Sequence, residues 1–188
     1  MKGMYMLSLL AILAVSACQQ EDESPGPSGQ NVLNYDGPNA TGPLLLAGEF
    51  EAAARFPATE TAVFQGRSLK EVTWFMGVLP TSCKVRVYGP GNGNEPGSLL
   101  YSADVTDRLQ APDWNTHELR DPIPIDGQEL WISIAFTHPA TQQSIGCDAG
   151  PNVPDGDWLF SSNDNQWRTY VQRTGESVNW NIRGVVGE

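Results

Sequence analysis

The sequence predicts an all-β domain of two packed antiparallel sheets, a jelly-roll-like β-sandwich. Three observations carry that expectation. Short β-rich runs recur between Gly, Pro, Asn and Asp clusters. Clean alternation marks "KVRVYG", where Val85 and Val87 face one way and Lys84, Arg86 and Tyr88 the other. "LWISIAF" repeats it, with Trp131, Ser133 and Ala135 opposite Leu130, Ile132, Ile134 and Phe136. Finally, no long amphipathic helix follows the amino-terminal apolar run. A closed barrel is the alternative arrangement of the same strands.

Turn residues bound each element. Strands are expected over 32–35, ahead of Asp36-Gly37-Pro38, over 48–56, ahead of Pro57, and over 69–78, ahead of Pro80. The strand over 83–88 runs into "GPGNGNEPG" (89–97), too rich in Gly and Pro for a strand and read as an exposed tip. Strands over 98–105 and 114–119 lie on either side of Pro112-Asp113, and one over 129–136 follows Asp126-Gly127. The last three, over 157–161, 167–171 and 179–186, are separated by Asn- and Gly-bearing segments. Residues 57–64 form the helical candidate, with Thr59 as its cap.

The folded part is expected over 31–188, one domain with one core. Ahead of it, Lys2 and the apolar run 7–15 are too short to span a bilayer as an ordinary helix. Val15-Ser16-Ala17-Cys18 follows and resembles a bacterial lipobox. The resemblance implies a signal peptide over 1–17, cleavage before Cys18, and acyl chains on the Cys18 sulfur and new amino group; an ordinary secretion signal is the alternative. Gln19 in place of an aspartate favours the outer membrane. "QQEDES" (19–24) resembles the acidic tether of Bacteroides-type surface lipoproteins, or is simply a solvated linker. The Pro- and Gly-rich residues 25–29 complete a flexible tether over 18–30.

A formal charge of -11 argues against nucleic acid or anionic lipid as a partner, since phosphates would be repelled. Cys83 and Cys147 either pair or stay as two buried thiols; a bridge would close a loop of about 64 residues and stabilise by about 4 kcal/mol. Zinc is disfavoured because no CxxC occurs and the two histidines are far apart.

Four segments taken together, "NYDGP" (34–38), "GEFEAAARF" (48–56), "GCDAGPNVPDGDW" (146–158) and "NWNIRGVV" (179–186), carry a further resemblance. With "SLKEVTWFMG", "CKVRVYGPG", "PGSLLYSADVT" and "LWISIAF" between them, the chain resembles the β-sandwich accessory and adhesin-like modules of Bacteroides-type secreted and surface proteins. This implies a non-catalytic binding or adhesion domain. No ligand residue carries over with it.

Enzymatic patterns are missing from the sequence: there is no GxSxG or HExxH, His117 and His138 are the only imidazoles, and no carboxylate pair stands out. A hydrolase using Asp155 or Asp157 is the remaining catalytic alternative. Calcium is a candidate ion, because Asp148, Asp155 and Asp157 share a Gly-containing loop that Asp36 and Glu49 could join. The competing reading is turn chemistry, with Asp148 bonding backbone amides.

A sugar surface wants exposed rings beside amides and carboxylates. "SNDNQWRTY" (162–170) supplies Asn165, Trp167 and Tyr170, and Trp114 between Asp113 and Asn115 is the second choice. Trp74, Trp131 and Trp180 read as core or sheet-face residues, and Arg183 as an ion-pair partner of Glu49 or Glu51. The expected function is a surface lipoprotein binding a glycan or a protein, with an accessory subunit of a surface complex as the alternative.

Overall fold

A computed structural model describes residues 29–188. The expected signal peptide, Cys18 and most of the expected tether lie outside the described residues. Among the described residues ten strands form: β1 (Val32–Leu33), β2 (Gly48–Phe56), β3 (Ser68–Met76), β4 (Ser82–Tyr88), β5 (Leu99–Asp104), β6 (Asp113–Pro124), β7 (Leu130–His138), β8 (Trp158–Ser161), β9 (Gln166–Thr169) and β10 (Ile182–Gly187). Two antiparallel sheets result, ordered β1-β10-β3-β6 and β5-β4-β7-β2-β8-β9. The all-β sandwich read from the alternation is the fold.

Period-two patterning decides which face of each strand is dry. Leu130, Ile132, Ile134 and Phe136 of β7 join Phe50, Ala52, Ala54 and Phe56 of β2 in the core. The four-stranded sheet answers with Leu69, Val72, Trp74 and Met76 of β3 and Ile182 of β10. The core is tightly filled at Gly184, where a Cβ would fall 2.4 Å from Ile132 Cδ1 of the facing sheet and 2.7 Å from Leu69 Cδ1 of its own. Only a residue without a side chain fits there.

The helical candidate at 57–64 is observed as α1 (Ala58–Thr61) and a 3-10 turn (Ala62–Phe64). Its N-cap, however, is Pro57, which offers no side-chain cap, rather than Thr59. Buried Thr61 ties the helix down instead, donating to the Gln128 carbonyl at 2.8 Å. The strand expected over 167–171 stops at Thr169, and α2 (Tyr170–Thr174) begins. Thr169 and Gln172 form a reciprocal capping box, and Gly175 closes the helix in the left-handed region at φ 79°.

Loop 89–97 is the expected tip, and it is ordered by its own bonds. Asn92 Oδ1 accepts from the amides of Asn94 and Glu95, each at 3.0 Å. The Gly91 amide donates to Glu129 Oε1 at 2.9 Å, which ties the tip to the start of β7.

The two cysteines are free and buried, so the candidate Cys83–Cys147 bridge is not made. Cys83 sits on β4 opposite Phe136, while Cys147 bridges Thr41 and Trp180. Burial, then Asp104 beside Cys83, pushes that thiol up to about 12. Burial, then Asp148 and Glu176, does the same for Cys147. Both are packing thiols, inert toward oxidation while the core stays closed.

Candidate functional site

The outer face of the six-stranded sheet carries an ion pair, a cavity and a cluster of aromatic rings. Along β7 the outward residues shrink from Trp131 to Ser133 and Ala135. Small side chains on that central strand leave a trough between β4 and β2. Across it Arg86 Nη1 reaches Glu51 Oε2 at 2.6 Å. Glu51 is 5% exposed, and its other oxygen accepts from Tyr88 Oη at 2.8 Å and Ser133 Oγ at 2.6 Å. A carboxylate held this way is nearly fixed in place. Burial opposes the charge on Arg86, but Glu51 outweighs it and the guanidinium is held above its ordinary range. Burial first, and Glu51 next, push the Tyr88 hydroxyl up, so it remains a donor at neutral pH.

A cavity of about 180 Å³ opens over this floor, lined by Glu49, Lys84, Arg86, Ala135, Thr137 and Phe160 among others. Beyond its Phe160 lies a second small apolar cluster of Ala53, Trp131 and Trp158, with Tyr88 and Trp167 packed against it. Trp131 meets Trp158 at 5.2 Å and Trp167 at 5.9 Å between ring centroids, and Trp167 meets Phe160 at 5.7 Å. Arg55 covers Trp131 from 5.8 Å. Glu129 and Asp155 clamp that guanidinium, at 2.6 Å and 3.0 Å. Burial pushes the Glu129 carboxyl up, but bonds from Gly91, Trp131 and Arg55 outweigh it and leave it below the usual range.

The candidate ligand residues do not gather. Trp167 stands half-buried on this face, and Asn165 is exposed at the adjoining β8–β9 turn with φ 57°. Tyr170 is buried in the main core against Trp180, 5.2 Å between centroids. Trp114 lies on the other sheet, stacked 4.3 Å over the Arg183 guanidinium. Glu51, Arg86, Tyr88 and Ser133 were missed as site residues. Alternation already put Arg86 and Tyr88 on one face, but their meeting with Glu51 depends on strand order.

Neither a protein-family model, nor a curated protein, nor a solved structure matches the chain. The site is read from its own geometry.

That geometry redistributes the four calcium candidates. Asp148 accepts four N–H groups, from Gly150 (2.9 Å), the Asn179 amide (2.8 Å), Asn179 Nδ2 (2.9 Å) and Gly37 (3.1 Å). Its lone pairs are spent on turns and ties. Asp36 faces Arg183 and Asn181, Asp155 faces Arg55, and Asp157 accepts from the Val171 amide at the start of α2. Glu49 is on the outer face described above. Among the described residues, no group of three or more His, Cys, Asp or Glu side chains is arranged to hold a metal. Arg183 makes the expected structural ion pair, with Asp36 as its acid in place of Glu49 or Glu51.

The two imidazoles are buried. His117 bonds Tyr101 Oη through Nε2 at 2.7 Å, and His138 packs on Phe50 and Phe136 at 5.5 Å and 5.1 Å. Burial chiefly, helped at His117 by Arg108, holds both below the ordinary 6.5. On acidification the unfolded chain therefore takes up protons before the folded one. Stability is expected to be full above about pH 7 and to fall below about pH 6.5, by at most about 1.4 kcal/mol per pH unit for each ring. Urea midpoints between about pH 7.5 and 5.5 test this. His117→Gln should flatten the slope; an unchanged slope in that variant would count against it. Asp157 acts with the opposite sign, because burial raises its carboxyl.

Proposed function

We propose that this chain is a non-catalytic binding module that takes a glycan on the outer face of its six-stranded sheet. The observation that carries this reading is the cavity over Ala135, lined by the paired Glu51 and Arg86 and by Phe160, whose ring lies 5.7 Å from that of Trp167. Flat C–H faces of a sugar pack on such rings, and its hydroxyls suit the carboxylate and guanidinium beside them. Arg86 Nε and Nη2 make no bond among the described residues and remain available as donors. Because the network is ordered beforehand, little side-chain freedom is lost on binding.

The engagement of His117 with Tyr101, and of both Glu51 oxygens with three donors, supports a role without turnover. The resemblance to accessory modules points the same way. Lipid on Cys18 would place the module at the outer membrane, facing outward on its tether.

Full-length protein on a glycan array tests the reading. Binding is expected, and Trp167→Ala or Arg86→Ala should each weaken it about tenfold. An array without any bound sugar would overturn the glycan assignment. Cys18→Ala should abolish fatty-acid labelling, and persistent labelling would refute the anchor.

One observation favours the accessory-subunit reading. Edge strand β5 exposes Leu99 at 53% and Leu100 at 50%, beside unpaired backbone groups. In that case cross-linking in cells recovers one dominant neighbour through β5, and the array stays blank.

A further inference from the structure

A second cavity lies far from the Trp167 face in the sheet order, at the open side of the sandwich where β5 and β6 are the terminal strands of their sheets. The Tyr101–His117 bond bridges these two edges at 2.7 Å. Beside it is a space of about 270 Å³, lined by Trp74, Val105, Arg108, Gln110, Asn115 and His117 among others. The wall formed by residues 110–115 is firm. Asn115 Nδ2 donates to the Gln110 and Asp113 carbonyls at 2.9 Å and 3.0 Å, and its Oδ1 accepts from the Gln110 amide at 2.8 Å.

Two features separate this cavity from a simple packing gap. Trp74 is 1% exposed and lines the cavity, yet its indole Nε1–H has no acceptor among the described residues. A buried donor left so bears its desolvation cost uncompensated, which a ligand acceptor would relieve. The second feature is charge. None of the lining residues is acidic, in a chain where Asp and Glu number 22 against 11 Lys and Arg. The cation at this site, Arg108, enters no ion pair among the described residues. An acceptor that also carries negative charge satisfies both groups together. The volume suits a molecule of one ring or smaller.

We propose that this cavity binds a small carboxylate, with Trp74 Nε1–H donating to the carboxylate and Arg108 neutralising it. The carboxylate belongs to an acidic sugar or to a simple organic acid; the chemistry that recognises it is shared. The site is independent of the trough on the outer face.

The six tryptophans give six indole N–H signals in a nitrogen-15 correlation spectrum of the full chain, and Trp74→Phe identifies the one of interest. Glucuronate, acetate and glucose are titrated in turn. The Trp74 signal is expected to move with glucuronate and stay still with glucose. Movement with acetate as well assigns recognition to the carboxylate alone; movement with glucuronate only adds the sugar ring. Arg108→Gln should weaken the response about tenfold, while Trp167→Ala leaves it unchanged. A Trp74 signal indifferent to both acids, or equally responsive to glucose, overturns the proposal. So does full retention of the response in Arg108→Gln.

Discussion

Arg183→Leu is expected to remove about 3–5 kcal/mol of stability, the typical cost of stranding a buried charge. Both partners are inside: the Arg183 side chain is 5% exposed and that of Asp36 0%. The guanidinium donates through Nε to both Asp36 oxygens at 3.0 Å and through Nη2 to Oδ2 at 2.9 Å. Trp114 covers it from above. Removal of the arginine leaves the Asp36 carboxylate with amide donors from Asn181 and Asn34 and no countercharge. Urea unfolding reads the loss directly. The Asp36→Leu/Arg183→Leu double variant should regain much of it, since desolvation offsets most of what a buried pair contributes. A single variant within about 1 kcal/mol of the parent would show that the pair is open to water.

Trp131→Ala should cost a similar amount, about 3–5 kcal/mol, for a different reason. Trp131 points away from the main core, yet it is 0% exposed. Trp158, Trp167 and the Arg55 guanidinium enclose it, and its Nε1 donates to Glu129 Oε1 at 2.8 Å. Truncation opens a void under Trp167 and loosens the Arg55–Glu129–Asp155 clamp. The melting temperature and the proposed glycan affinity should therefore fall together. Trp167→Ala, by contrast, should lose affinity with a much smaller change in melting, because that ring is only half-buried. If Trp131→Ala melts like the parent, the outer cluster is not a second core.

Local pattern and long-range pairing differ in how much of this was legible. All ten strands are visible in the sequence because alternation and turn residues act over a few positions. Even α2 had a readable sign, the Thr169–Gln172 capping box, though the β-prone Trp167 and Val171 on either side masked it. The charged partner of Asp36, by contrast, lies 147 positions away, and no local rule distinguishes Asp36 from Glu49 or Glu51 as the acid for Arg183. The Glu51–Arg86 contact is hidden in the same way. It requires β7 to lie between β4 and β2, and small residues to face outward at Ser133 and Ala135. Asp148, Asp155 and Asp157 are close in sequence and were grouped on that ground; the fold sends each to a different donor set.

The placement of β1 governs how the domain bears mechanical load at its amino end. Val32 and Leu33 pair only with Val185 and Gly184 at a sheet margin, so tension arriving through Gly29 unzips those bonds one at a time. The pull would then meet Asp36, which Arg183 and Asn181 tie to β10 and to the residue just ahead of it, a strand held on its other side by β3.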